Sequence, residues 1–348
     1  MSNKLSDKSV IIIAAAMLAV ILIGEVVVYT SDYTDYSAEA SRDGNVISYN
    51  ISADGSKSYS VVISETGGYS RVQKILLYYD EGYPSDCQKV EADVGAPALN
   101  QSYHLKQIKA LLGFRDILDI QYVDANELRD EMQDAIANNK SSGMGLICIS
   151  GVLPDTVYAG LEDDTIFKWL DNGGSLYWAG NLIGCKYGTS EGSLIEVEDY
   201  QRLFFGSDCL NTNLDVERAH EEYSGNGYRE ALSLSNNNVK YAVRPASVEG
   251  RSILGLGYEK DGYASITATQ YGSGAIFVFG GDYSDYQRYD MAQVIAAGIG
   301  PWSELKECPT GTVTRGTMSG SIVVNGGSLS AYIYLGGYYP VYGKYFRL

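Results

Sequence analysis

The sequence predicts an α/β protein: a mostly parallel sheet flanked by helices, with β-rich amino- and carboxy-terminal flanks and one amino-terminal transmembrane helix. Three observations lead there. Apolar strand-like runs alternate with helix-patterned segments through the middle of the chain. Alternating strand pairs around Gly-containing turns stand at both ends. Val10 to Tyr29 reads VIIIAAAMLAVILIGEVVVY, with Glu25 its one charge.

Twenty helical residues rise about 30 Å, the thickness of a bilayer's hydrocarbon core. Lys4 and Lys8 precede the run, and Asp32, Asp35, Glu39 and Asp43 follow it. Basic residues favour the cytoplasmic side, so the expectation is a single-pass cell-membrane protein with a cytoplasmic tail at 1–9, a span at 10–29 and an extracellular ectodomain. Residues 30–43 lack apolar periodicity and read as a stalk.

The β-rich flank at 44–71 holds NVISYNIS and SYSVVIS around ADGSK, a hairpin signal. The flank at 301–348 repeats it with SGSIVV and SLSAYIYL around Asn325-Gly326-Gly327. The two flanks can close together into one β-sandwich. Between them, residues 72–300 alternate. KILLYYD (74–80), 117–123, GLICIS (145–150) and GSLYWA (174–179) read as strands. Residues 102–112, 125–138 and 164–170 read as helices between them, an alternation that calls for a parallel sheet with helices on both faces. Residues 186–250 read as a polar excursion; a hairpin (264–282) and a helix (286–297) follow.

The middle region resembles the class I glutamine amidotransferase-like group, in particular its ThuA-like relatives, which implies a flavodoxin-like sheet over 72–300. ICISGVLPD, FKWLDNGGSLYWAGNLIG and YGSGAIFVFGGD carry the resemblance. In catalytic members of that group a G-x-nucleophile-x-G turn holds a cysteine. The matching stretch is Gly180-Asn181-Leu182-Ile183-Gly184, with Leu182 in the nucleophile's place. The group's His-x-Glu falls near Gly280-Gly281-Asp282, with Gly280 where the base would stand. The resemblance therefore implies a degenerate site with no catalytic residue, and a ligand crevice formed by Gly180, Asn181, Leu182, Gly184, Gly280, Gly281, Asp282 and Asp285.

The net charge of −17 argues against nucleic acid, which needs a basic face. No zinc spacing or EF-hand loop exists, and the glycines form no phosphate loop, so neither a metal nor another cofactor is expected. In an oxidising exterior, Cys185 with Cys209 and Cys87 with Cys308 are candidate bridges. Glu162-Asp163-Asp164 reads as a helix-capping cluster. Thirty tyrosines against seven phenylalanines divide between strand packing and a contact surface, above all in the carboxy-terminal Tyr332, Tyr334, Tyr338, Tyr339, Tyr342 and Tyr345. The functional expectation is a membrane-anchored binding or envelope-architecture protein, with the membrane, envelope proteins or glycans as partners. One alternative is a hydrolase using Asp282 or Cys185; the other is a pilin-like filament subunit.

Overall fold

A computed structural model describes residues 36–86, 101–211, 227–234, 242–244, 250–257, 259–260, 262–280, 285–336 and 342–348. Alternation in the two terminal segments is what builds its first layer pair. In strand Val46–Ala53 every second side chain is buried and the rest face out. This strand pairs antiparallel with Tyr36–Asp43 on one side and Gly316–Val323 on the other. The sheet so formed packs on a second one, in which Lys57–Glu65 pairs with Leu329–Gly336, and Gly343–Arg347 pairs beyond that. Ile47, Ile51, Val61, Ile63, Ala331, Ile333 and Leu335 fill the space between.

Strand Leu329–Gly336 is buried on both faces. Leu329, Ala331, Ile333 and Leu335 point into the sandwich. Tyr332 and Tyr334 point the other way, into the core of the middle region. These two tyrosines are therefore packing residues and not a contact surface.

The middle region holds a seven-stranded sheet in the order Ile253–Gly255, Ile266–Tyr271, Gly274–Gly280, Ser175–Gly180, Met144–Cys148, Lys74–Tyr78, Asp119–Val123. The first three strands are antiparallel neighbours, and the pairings from Gly274–Gly280 onward are parallel. Helices Gln101–Gly113 and Asp285–Ala297 cover one face and share a core with the sandwich. Helices Ala125–Ala137 and Thr165–Asp171 cover the other. Helix Ala125–Ala137 starts where its sequence says it should. Asp124 accepts from the backbone N–H groups of Asn126 and Glu127, both at 2.8 Å, and Glu127 reaches back to the Asp124 N–H at 3.1 Å.

Several expectations are corrected. The chain is not a mostly parallel, flavodoxin-like α/β fold: its described residues form 22 strands and six helices, and antiparallel pairing prevails in the sheets outside the middle one. The amidotransferase-like resemblance is withdrawn with it. The physical reason is that both flanks, and parts of what reads as an irregular excursion, supply short antiparallel strands. Lys186–Gly188 with Leu194–Glu196, and Leu210–Asn211 with Ala242–Val243, are examples. Residues 36–43 are a strand and not part of a stalk. Their inward positions are Tyr36, Ala38 and Ala40, too small or too polar to signal a strand. The single-pass, extracellular placement is withdrawn as well. Among the described residues no helix is long and apolar enough to cross a membrane, and residues 10–29 lie outside them.

Candidate functional site

The two ends of the parallel strands differ. At the carboxyl ends, Gly180 and Gly280 are register partners on adjacent strands, so the structure does bring these two expected residues together. Gly180 has φ +117°, a conformation open to glycine, and it turns the chain out of the sheet. The turn that follows is closed on itself. The Asn181 carbonyl accepts from Trp178 Nε1 at 2.7 Å, and Asn181 Oδ1 accepts from the Leu182 N–H at 2.8 Å. Leu182 packs against the core beneath. Gly184, at φ +71°, gives its carbonyl to the Tyr158 hydroxyl at 2.7 Å, and a Cβ there would collide with the Phe204 ring. Gly281 and Asp282 lie outside the described residues, and so does the side chain of Asp285, which opens helix Asp285–Ala297.

At this end Asp86, Lys186 and Ser85, which no sequence motif marks, meet the expected Asn181 and Cys185. Asp86 is held by the Asn181 side-chain amide and by Lys186 Nζ at 3.2 Å, with only 12% of its side chain exposed. Its backbone N–H donates to the Ser150 carbonyl at 3.0 Å, and Ser85 Oγ donates to the same oxygen. The hydrogen bond that Lys186 donates to Asp86 raises the Lys186 pKa. Burial, then the Asp86 charge, pushes the neighbouring Cys185 thiol up to about 11, so it stays protonated at neutral pH. Asp86 and Lys186 stand 100 positions apart, and nothing in either local sequence marks the pair.

The other expected residues are dispersed. Cys185 and Cys209 both carry free thiols, so that bridge is not made; Cys308 is also free, and Cys87 lies outside the described residues. Asp164 does not cap its helix; it accepts from the N–H groups of Ala159 and Leu161 in the preceding turn. His104 is buried on helix Gln101–Gly113 beside Arg288, and His220 is outside the described residues. Among the described residues no three His, Cys, Asp or Glu side chains converge as a metal site.

A concavity lies at the amino ends, between the sandwich and the middle region. It is a groove of about 750 Å³ walled by Tyr69, Arg71, Gln73, Asp119, Tyr345 and Arg347, among others. A further space of about 500 Å³ continues past Ser70, Arg71, Gln73 and Asp119 towards Lys140. Arg71 is half-buried. Its Nη2 donates to the Asp116 carbonyl at 2.7 Å, and its guanidinium carbon lies 4.9 Å from the Tyr345 ring centroid. Its Nε is buried with no partner. Burial lowers the Arg71 pKa, but from so high a start that it remains charged.

No protein-family model matches the sequence, and no curated protein matches it. A beta-galactosidase from Bacillus circulans sp. alkalophilus is a structural neighbour at TM-score 0.35 and 14% identity, covering 77% of this chain and 36% of its own. The chain thus spans little more than a third of that protein's length, and a likeness this slight sets neither family nor activity.

Proposed function

We propose that this chain is a binding protein whose ligand is an acidic saccharide seated in the groove at the amino ends of the strands. The observation that carries the reading is Arg71. A guanidinium taken partly out of water, with the Asp116 charge near it but no carboxylate among the described residues paired with it in a salt bridge, is incompletely compensated, and an incoming carboxylate would relieve it through charge-assisted hydrogen bonds. Its planar fork suits that geometry, and the stacked Tyr345 ring restricts its motion. Around it, Ser70, Gln73 and Asp119 offer the mixture of donors and acceptors that sugar hydroxyls need. A volume of about 750 Å³ suits a ligand of a few rings. The carboxyl ends of the strands support this reading less, because the carboxylate, amide and ammonium there already satisfy one another and the thiol is protonated.

The test is titration calorimetry with a uronic-acid disaccharide and its neutral counterpart. The acidic sugar should bind, and Arg71→Gln should weaken it about tenfold to a hundredfold, the worth of a hydrogen bond to a charged group. Equal binding of both sugars, or an Arg71→Gln variant with unchanged affinity, would refute the reading.

A further inference from the structure

The amino-terminal sheet ends on strand Gly316–Val323, whose outer side pairs with no described strand. Exposed edges are ordinarily protected by charge, proline or shortness. The other described edge strands longer than four residues obey that rule. Tyr36–Asp43 carries Glu39, Arg42 and Asp43; Asp119–Val123 carries Asp119; Gly343–Arg347 carries Lys344 and Arg347. Gly316–Val323 reads GTMSGSIV, eight residues with neither a charge nor a proline.

The backbone phase of this edge is fixed. The Val324 N–H donates to the Asn45 carbonyl at 2.8 Å, so even-numbered residues direct their backbone groups to Val46–Ala53. The N–H and C=O groups of Thr317, Ser319, Ser321 and Val323 therefore point outwards, and these four side chains lie on the exposed face.

The sequence about Gly320 is a chemical palindrome. Ser319 mirrors Ser321, Met318 mirrors Ile322, and Thr317 mirrors Val323, which has the same shape. From this the geometry points to a two-fold dimer, in which the edge strand of one copy pairs antiparallel with the same strand of a second copy of this chain, centred on Gly320. Positions whose numbers sum to 640 would then face each other. That register joins outward-pointing residues to outward-pointing residues, as an antiparallel ladder requires. It places Ser319 opposite Ser321 of the second copy and Thr317 opposite Val323, which is 69% exposed in the single chain. On the inner face Met318 would meet Ile322. Both are half-open here, whereas Ile47 and Ile51 on the neighbouring strand are buried.

Gly320 suits the axis. A Cβ there would run into the Tyr49 ring of the same chain, which already covers its inner side, so the position at the axis carries no side chain of its own. The product is a continuous six-stranded sheet. The contact is isologous, and it closes after two copies.

The experiment is sedimentation velocity on the full-length chain from micromolar to hundred-micromolar concentration, with two variants at exposed positions. The wild type should pass from monomer to dimer across that range. S319K/S321K sets lysine against lysine at both cross-strand pairs and should remain monomeric throughout, with unchanged circular dichroism. S319K/S321E sets each lysine against a glutamate of the second copy and should restore the dimer. A wild type that stays monomeric would overturn the proposal. So would association that S319K/S321K leaves unaltered, which would belong to another surface. A S319K/S321E variant as weak as the double lysine would overturn the register.

Discussion

Tyr69 ties the groove to the core of the middle region, and its removal can be worked through quantitatively. Its ring forms part of the groove wall, while its hydroxyl lies 2.9 Å from Ser175 Oγ and 3.2 Å from the Tyr177 hydroxyl. All three residues are buried, Ser175 and Tyr177 to 1% exposure. Tyr69→Phe keeps the ring and takes away one shared hydroxyl, leaving two buried groups short of a partner. The expected cost is about 1–2 kcal/mol. Tyr177→Phe should cost a similar amount, for the same reason. The double variant should cost less than the sum by about 1 kcal/mol, because removing both ends of a buried hydrogen bond leaves less unsatisfied than removing one. The Tyr177 ring itself, stacked on Phe277 with centroids 4.4 Å apart, is kept in all three variants. Urea unfolding gives the numbers, read as midpoint shifts at constant slope. Strictly additive losses, within about 0.3–0.5 kcal/mol, would refute the coupling and with it the tie between groove and core.

The thiol beside the crevice and the capping box supply the other predictions. With its pKa pushed up to about 11, Cys185 should react with iodoacetamide only slowly at pH 8, where roughly one thiol in a thousand is ionised, and faster as pH rises. An unfolded cysteine ionises near the ordinary value of 9.0, so the neutral thiol's contribution to stability is whole below that pH. It is lost as pH climbs from there towards about 11, and Cys185→Ser should flatten the stability profile in that window. Fast alkylation at pH 8 would contradict the burial argument. Asp124→Ala removes the acceptor for two helix N–H groups and should cost about 1–2 kcal/mol in urea unfolding, while Asp124→Asn should recover most of it.

What local pattern could reveal, it revealed. The apolar run at Lys74 becomes strand Lys74–Tyr78, and the segment read as a helix over 125–138 becomes helix Ala125–Ala137. Both depend on interactions within a few residues, which the order of side chains records directly. The sequence also marked Gly180 and Gly280 as points where strands end, and the structure sets them side by side. Leu182 packs against the core, and Asn181 divides between its own turn and Asp86, while Asp86 and Lys186 meet only because two segments 100 positions apart come together at the same end of the sheet.

The class of the fold is where reading along the chain failed, because strand direction and partner choice are not local properties. Alternation in SYSVVIS and SLSAYIYL says that each forms a strand; that they pair with each other across some 265 residues is decided by which apolar faces can be buried against which. The same holds for Arg71. Nothing beside it in sequence announces a site, and its meaning comes from Asp116 and Tyr345 closing around it. The sequence by itself determined the elements held by hydrogen bonds and side-chain periodicity at short range. Only the tertiary structure decided the sandwich, the groove and the bare edge at Gly316–Val323, since each is made by surfaces brought together from distant parts of the chain.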